Sequence, residues 1–148
     1  MQRLVVLIFL SAITMARPAL AAAVDDAKGL FDRYVHLEHA FDPAAADLYA
    51  DDALIKNKRT YPWGEVRELT LPATQYKALI RQAMPLAKAR NDTNSYSDIT
   101  FTPEGSGVRI RAMRFSNLKK YTSPLSLLVS PDSKGRWLIK EELSESRP

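Results

Sequence analysis

Between Ser95 and Leu143 the chain offers four strand candidates and no helical stretch, and that run limits the fold more than any other feature. The candidates are SYSDITFT (95–102), GVRIRAMRFSNLKKY (107–121), SPLSLLVS (123–130) and RWLIKEEL (136–143). Each alternates or is rich in β-branched and apolar residues. Pro103-Glu104-Gly105-Ser106-Gly107 and Pro131-Asp132-Ser133-Lys134-Gly135 are turn sequences, while the junction at 119–123 has no Gly. Short connections of this kind join antiparallel neighbours. Upstream, apolar residues at Ala27, Leu30, Phe31, Tyr34, Leu37 and Phe41 recur at three- and four-residue steps and predict a helix over 24–41. Asp42-Pro43 opens a second, short helix to about Ala50, with Asp as N-cap and Pro in the first turn. ALIKNKRTY (53–61), the turn Pro62-Trp63-Gly64 and EVRELTL (65–71) read as a hairpin. A third helix over 73–90 presents Tyr76, Leu79, Ile80, Ala83, Met84 and Ala87, with Pro85 expected to kink it. Helices come early and strands late, so the expected fold is α+β: a strongly bent antiparallel sheet of about six strands on three helices, in one domain. The tail SESRP is expected to fray.

Residues 4–16 are nearly all apolar, preceded by Arg3 and followed by Arg17-Pro18 and Ala19-Leu20-Ala21. The run is too short for a bilayer, which needs ~20 residues. A positive start, a short apolar core and an A-x-A site are the marks of a secretory leader, residues 1–21, with cleavage after Ala21 or, second, Ala23. A domain over 22–148 remains, and loss of Arg3 and Arg17 takes the formal net charge from +4 to +2. That balance gives no basic stripe for nucleic acid. The chain has no Cys, which excludes a lipid anchor at the cleavage site, thiol catalysis and Cys-ligated zinc. The expected place is a bacterial periplasm, with release to the medium as the alternative and no membrane association of the mature form. No cofactor is expected. Asp51-Asp52 and the His36/His39 pair lack further ligands at suitable spacing, so no metal site is expected either.

The order of elements, the Tyr49-Ala50-Asp51-Asp52-Ala53 turn into a strand and the closing Gly135-Arg136-Trp137-Leu138-Ile139 strand resemble the nuclear transport factor 2-like superfamily. This superfamily includes ketosteroid isomerase, scytalone dehydratase and SnoaL-like polyketide cyclases. The resemblance spans nearly the whole mature chain. It implies a cystatin-like, cone-shaped sheet around a pocket closed by helices, and a homodimer through the outer sheet face. Tyr34 stands where isomerases of this type carry an oxyanion donor. The position of their general base falls on Asn57, and residues 118–131 hold no Asp or Glu for a second donor. Both His lie on the first helix, unlike the paired pocket His of the dehydratases.

Glu38 falls on the apolar stripe one turn after Tyr34, where a carboxylate needs a partner. His36 falls on the wet face and His39 on the flank. Alternation from Val108 through Ile110 and Ala112 aims Arg114 at the core, and alternation from Trp137 through Ile139 aims Glu141 there too. A ligand pocket of Tyr34, Glu38, Arg114 and Glu141 follows, set against a structural ion pair at the cone rim. Arg59 and Tyr61, on one side of the hairpin with Trp63, are added as ligand-binding residues at a mouth, against a solvated hairpin edge. Arg109 and Arg111 should face outward toward Asp98 or Glu68. The expected function is binding of a small polar or anionic molecule by an exported accessory module. The alternatives are a lyase or isomerase on a small cyclic or carbonyl substrate, with Tyr34, Glu38 and Glu141 catalytic, and a homodimeric interaction module.

Overall fold

The computed structural model describes residues 16–148. The expected leader therefore lies outside the described residues except for 16–21, which open the first helix.

Helix α1 runs Ala16–His39, longer at its start than the periodicity predicts. Side chains 17–22 are exposed, and the first buried one is Ala27. From there Leu30, Phe31 and Tyr34 form its core stripe. Phe41 follows at φ 54°, with Asp42 N–H on the Leu37 carbonyl (2.9 Å) and Phe41 N–H on that of Glu38 (3.0 Å). This is a Schellman ending with Phe where Gly is usual. The short second helix is a 3-10 turn, η1 (Pro43–Leu48), capped by the Asp42 side chain on Ala44 N–H. Strands β1 (Tyr49–Thr60) and β2 (Val66–Pro72) form the hairpin. Helix α2 spans Ala73–Arg90 with Pro85 inside, and Asn91 ends it in the left-handed region. Leu79, read as part of the apolar face, is exposed, because α2 buries little beyond the Tyr76 and Ile80 side.

Strands β3 (Asn94–Glu104), β4 (Gly107–Ser116), β5 (Thr122–Pro131) and β6 (Trp137–Ser146) complete a six-stranded sheet in the order β2-β1-β6-β5-β4-β3. Every pairing is antiparallel but one: β1 and β6 run parallel. The sheet is thus mixed, since α2 carries the chain from the β2 edge to the opposite β3 edge, and the meander β3 to β6 then returns to lay the last strand beside the first. The inner face packs Val108, Ile110, Ala112, Leu125, Leu127, Val129, Ile139 and Ile55 against the helices. Gly107 opens β4 against β5 so closely that an added Cβ would sit 2.1 Å from the Val129 carbonyl oxygen.

Three further expectations change. The strand read as 107–121 ends at Ser116, and a turn with Lys120 at φ 59° leads to Tyr121, whose carbonyl accepts from Ser116 N–H (2.9 Å). Leu118 is consequently exposed. The C-terminal tail is ordered to Ser146: Ser146 Oγ donates to Asn57 Oδ1 (2.8 Å) and Asn57 Nδ2 to Ser144 Oγ (3.0 Å). On β6, Val129 faces Ile139 but Leu128 faces Glu141, so Lys140 is an extra residue that reverses the faces beyond it.

Candidate ligand-binding site inside the cone

A cavity of about 210 Å³ opens between the helices and the sheet. Helix α1 contributes Tyr34 and Glu38, its ending Phe41, and β1 Tyr49. Helix α2 contributes Tyr76, Ile80, Ala83, Met84 and Ala87, the α2–β3 connection Asp92, and the start of β3 Asn94. The volume lies just below the ~300–1,000 Å³ of sites for drug-sized ligands.

The polar floor is built on two carboxylates. Glu142, 1% exposed, accepts from Tyr49 Oη on Oε2 and from Tyr76 Oη on Oε1 (3.0 Å). Glu38 accepts from Tyr96 Oη on Oε2, and from both Asn94 N–H and Asn94 Nδ2 on Oε1 (3.0 Å each). His39 Nε2 donates to the Asn94 carbonyl (2.7 Å), fixing that residue from the other side. Tyr34 stacks on Phe31 at 5.9 Å and meets Tyr96 edge-on at 6.2 Å, its hydroxyl beside that of Tyr96. Tyr49 and Tyr76 meet edge-on at 5.4 Å.

Arg114 lies under this layer, between Tyr96 on β3 and Ser123 on β5, with Nη2 donating to the Glu145 carbonyl (2.9 Å). Burial opposes its charge, but the field of Tyr34, Glu142 and Tyr96 outweighs that, and the guanidinium is held above its ordinary range. Burial, then the Glu142 charge, pushes the hydroxyls of Tyr34, Tyr49 and, with the same order of causes, Tyr76 above the ordinary tyrosine value. Burial raises Tyr96 too, followed by Tyr34 and Glu38.

Of the residues singled out in the sequence, Tyr34 and Glu38 border the cavity, whereas Arg114 reaches the inner face of the sheet but does not border the space. Glu141 is not with them. The extra residue Lys140 turns it to the outer face, where it accepts from Arg109 Nη1, and Glu142 takes the inward place. Arg109, 8% exposed, also grips Glu104 through Nε (2.7 Å) and Nη2 (3.1 Å), so its partners are Glu104 and Glu141 rather than Asp98 or Glu68. Hydrogen bonding to Glu104 raises the Arg109 guanidinium and in turn lowers Glu104. Arg111 is exposed, in an outer trough of about 570 Å³ with Lys56, Glu68 and Asp98. Arg59 and Tyr61 lie toward the tip of the hairpin, clear of the cavity, with Tyr61 stacked on Trp63 (4.8 Å) and Arg67 over its ring (5.4 Å). His36 is exposed. Asp51 and Asp52 face Lys77 (2.7 Å) and Lys140 (3.6 Å). Among the described residues no group of three His, Asp or Glu side chains is placed to hold a metal ion.

Sequence reasoning missed Glu142, Tyr49, Tyr76, Tyr96 and Asn94 as site residues. Tyrosine on an apolar stripe reads as core, and of two adjacent glutamates on a strand only one faces inward. The adjacency of Glu141 and Glu142 was the available signal.

No family model and no curated protein matches the sequence. Solved structures do match. A nuclear transport factor 2-like protein with a cystatin-like fold from Novosphingobium aromaticivorans is 17% identical with a TM-score of 0.62, covering 91% of each chain. A nuclear transport factor 2-like protein of unknown function from Pseudomonas putida is 13% identical with a TM-score of 0.66, covering 85% of this chain and 87% of that one. A protein from Shewanella frigidimarina, provisionally named a ketosteroid isomerase, is 17% identical with a TM-score of 0.57, covering 82% and 96%. At these identities the likeness is one of fold, and the chain has the cystatin-like α+β fold of nuclear transport factor 2-like proteins.

Proposed function

We propose that the chain is an exported small-molecule-binding module whose ligand sits in the cone cavity. The carrying observation is that the cavity is pre-formed and that the two carboxylates holding its tyrosines, Glu38 and Glu142, are already committed, which leaves Asp92, half-buried at the α2–β3 end, as the one free carboxylate of its wall among the described residues. Glu142 accepts from two tyrosines, and Glu38 accepts three hydrogen bonds from Tyr96 and Asn94. A general base must be within reach of the substrate with a lone pair to offer it, whereas these groups hold the walls in place. Binding without turnover follows more directly than the lyase or isomerase chemistry named for some proteins of this fold. Export rests on the leader pattern of residues 1–21, and the exposure of side chains 17–21 agrees with their loss costing the core nothing.

The test is a thermal-shift screen of the protein with small, weakly polar probes such as phenol and cyclohexanone, beside the cavity-filling variant Ala83→Phe. A ligand that binds only the native state raises the melting temperature with its concentration. The expected result is such a rise for the native chain and none for A83F. An equal rise in both, or none in either, overturns the reading. Native mass spectrometry of protein from the host's periplasm reads the cleavage site, the oligomeric state and any retained ligand.

A further inference from the structure

We propose that the cavity selects a small organic cation, a protonated or alkylated amine, in preference to an anion or a neutral carbonyl compound. This rests on the binding reading above and narrows it.

Charge is the first ground. The cavity wall contains two carboxylates, Glu38 and Asp92, and no Lys, Arg or His. Asp92 stands half-buried, and among the described residues its side chain makes no hydrogen bond or ion pair. Arg114 does not border the space and lies behind the tyrosines, next to Glu142.

Hydrogen-bond polarity is the second ground. Tyr49 and Tyr76 give their protons to Glu142. Tyr96, the Asn94 backbone N–H and one Nδ2–H of Asn94 give theirs to Glu38. The donors left on the wall are the Tyr34 hydroxyl and the second Nδ2–H of Asn94. Against them stand the oxygen lone pairs of Tyr49, Tyr76 and Glu38 and the Asp92 carboxylate. An N–H donor or a positive charge therefore meets more partners in this space than a carboxylate does.

Ring faces are the third ground. Tyr34, Phe41, Tyr49 and Tyr76 border one small volume, and aromatic rings attract ammonium groups through their negative faces. Phe41 holds its place at φ 54°, where a bulky side chain is strained and glycine would be at ease.

The test titrates the native protein, ¹³C-methyl labelled at methionine, with choline, its uncharged isostere 3,3-dimethylbutan-1-ol and the anion 3,3-dimethylbutanoate. The Met84 methyl reports the cavity, assigned by Met84→Leu. Choline is expected to move this signal with an affinity at least about tenfold above that of the alcohol, and the anion to leave it unmoved. Asp92→Asn is expected to weaken choline about three- to tenfold and to leave the alcohol unchanged. Equal or tighter binding of the alcohol or the anion overturns the cation assignment. If none of the three binds while phenol or cyclohexanone shifts Met84, the cation assignment fails and the binding reading stands. If no probe moves Met84, both fail.

Discussion

Glu141 and Glu142, adjacent on β6, serve opposite faces of the sheet: Glu142 holds Tyr49 and Tyr76 inside the cone, and Glu141 holds Arg109 outside. The single extra residue Lys140 decides which glutamate does which. The two should therefore separate in experiment. Glu141→Gln is expected to leave cavity binding unchanged within about twofold, and to lower stability by about 1–2 kcal/mol through the weakened Arg109 contact. Ligand titration and urea denaturation of the same variant check both halves.

Glu142 and Arg114 are opposite charges beneath the cavity, coupled through their fields. Removing one partner leaves the other uncompensated, so Glu142→Leu and Arg114→Met alone are each expected to cost about 3–5 kcal/mol. The double variant is expected to recover only the share owed to an uncompensated charge, because the Tyr49 and Tyr76 hydroxyls stay without an acceptor once Glu142 is gone. A double-mutant cycle by urea midpoint, with additive losses as the contrary result, measures the coupling.

Alkaline pH should act on this protein through its inner tyrosines. Tyr34, Tyr49, Tyr76 and Tyr96 are all raised above the ordinary 10.0 by burial first. Their raised values favour the protonated form in the folded state. The stability they contribute is whole below pH 10 and falls as pH rises above it, since the unfolded chain ionises there and the folded chain does not. Each contributes up to about 1.4 kcal/mol per pH unit. Urea midpoints at pH 9, 10 and 11, with tyrosinate absorbance from these four appearing only on unfolding, are the expected result.

At the end of α1, Phe41→Gly relieves a left-handed strain of about 1–2 kcal/mol and gives up a comparable half-buried ring contact. Its urea midpoint is expected to correspond to within about 1 kcal/mol of the native value, while affinity for an ammonium probe falls about fivefold or more through loss of a ring face. Stability and binding measured on one preparation distinguish this from simple unfolding.

Much of the inner geometry was legible in the sequence. Arg114 was read onto the inner face because β4 pairs with β5 without a break from Val108 to Phe115, so alternation holds along that strand, although it does not border the cavity. Glu38 was placed by the 3.6-residue period alone. Glu141 was misplaced because strand alternation carries no mark of where a bulge will fall. The parallel β1–β6 pair was also out of reach, for local pattern defines elements but not which distant strands become neighbours. That pairing in turn explains the ordered tail: Asn57 meets the polar side chains of Ser144 and Ser146, which in isolation read as solvent-facing.

The parallel pairing of the first and last strands also sets an order of events. Tyr49 and Glu142 are 93 residues apart, and Tyr76 and Glu142 are 66 apart. Contacts of such separation form late, because the closure entropy of the intervening chain must be met first. The floor of the cavity therefore cannot form before β6 is in place. A chain that stops short of β6, or is still emerging, has two tyrosine hydroxyls with no acceptor and no ligand site, and only the completed chain can bind.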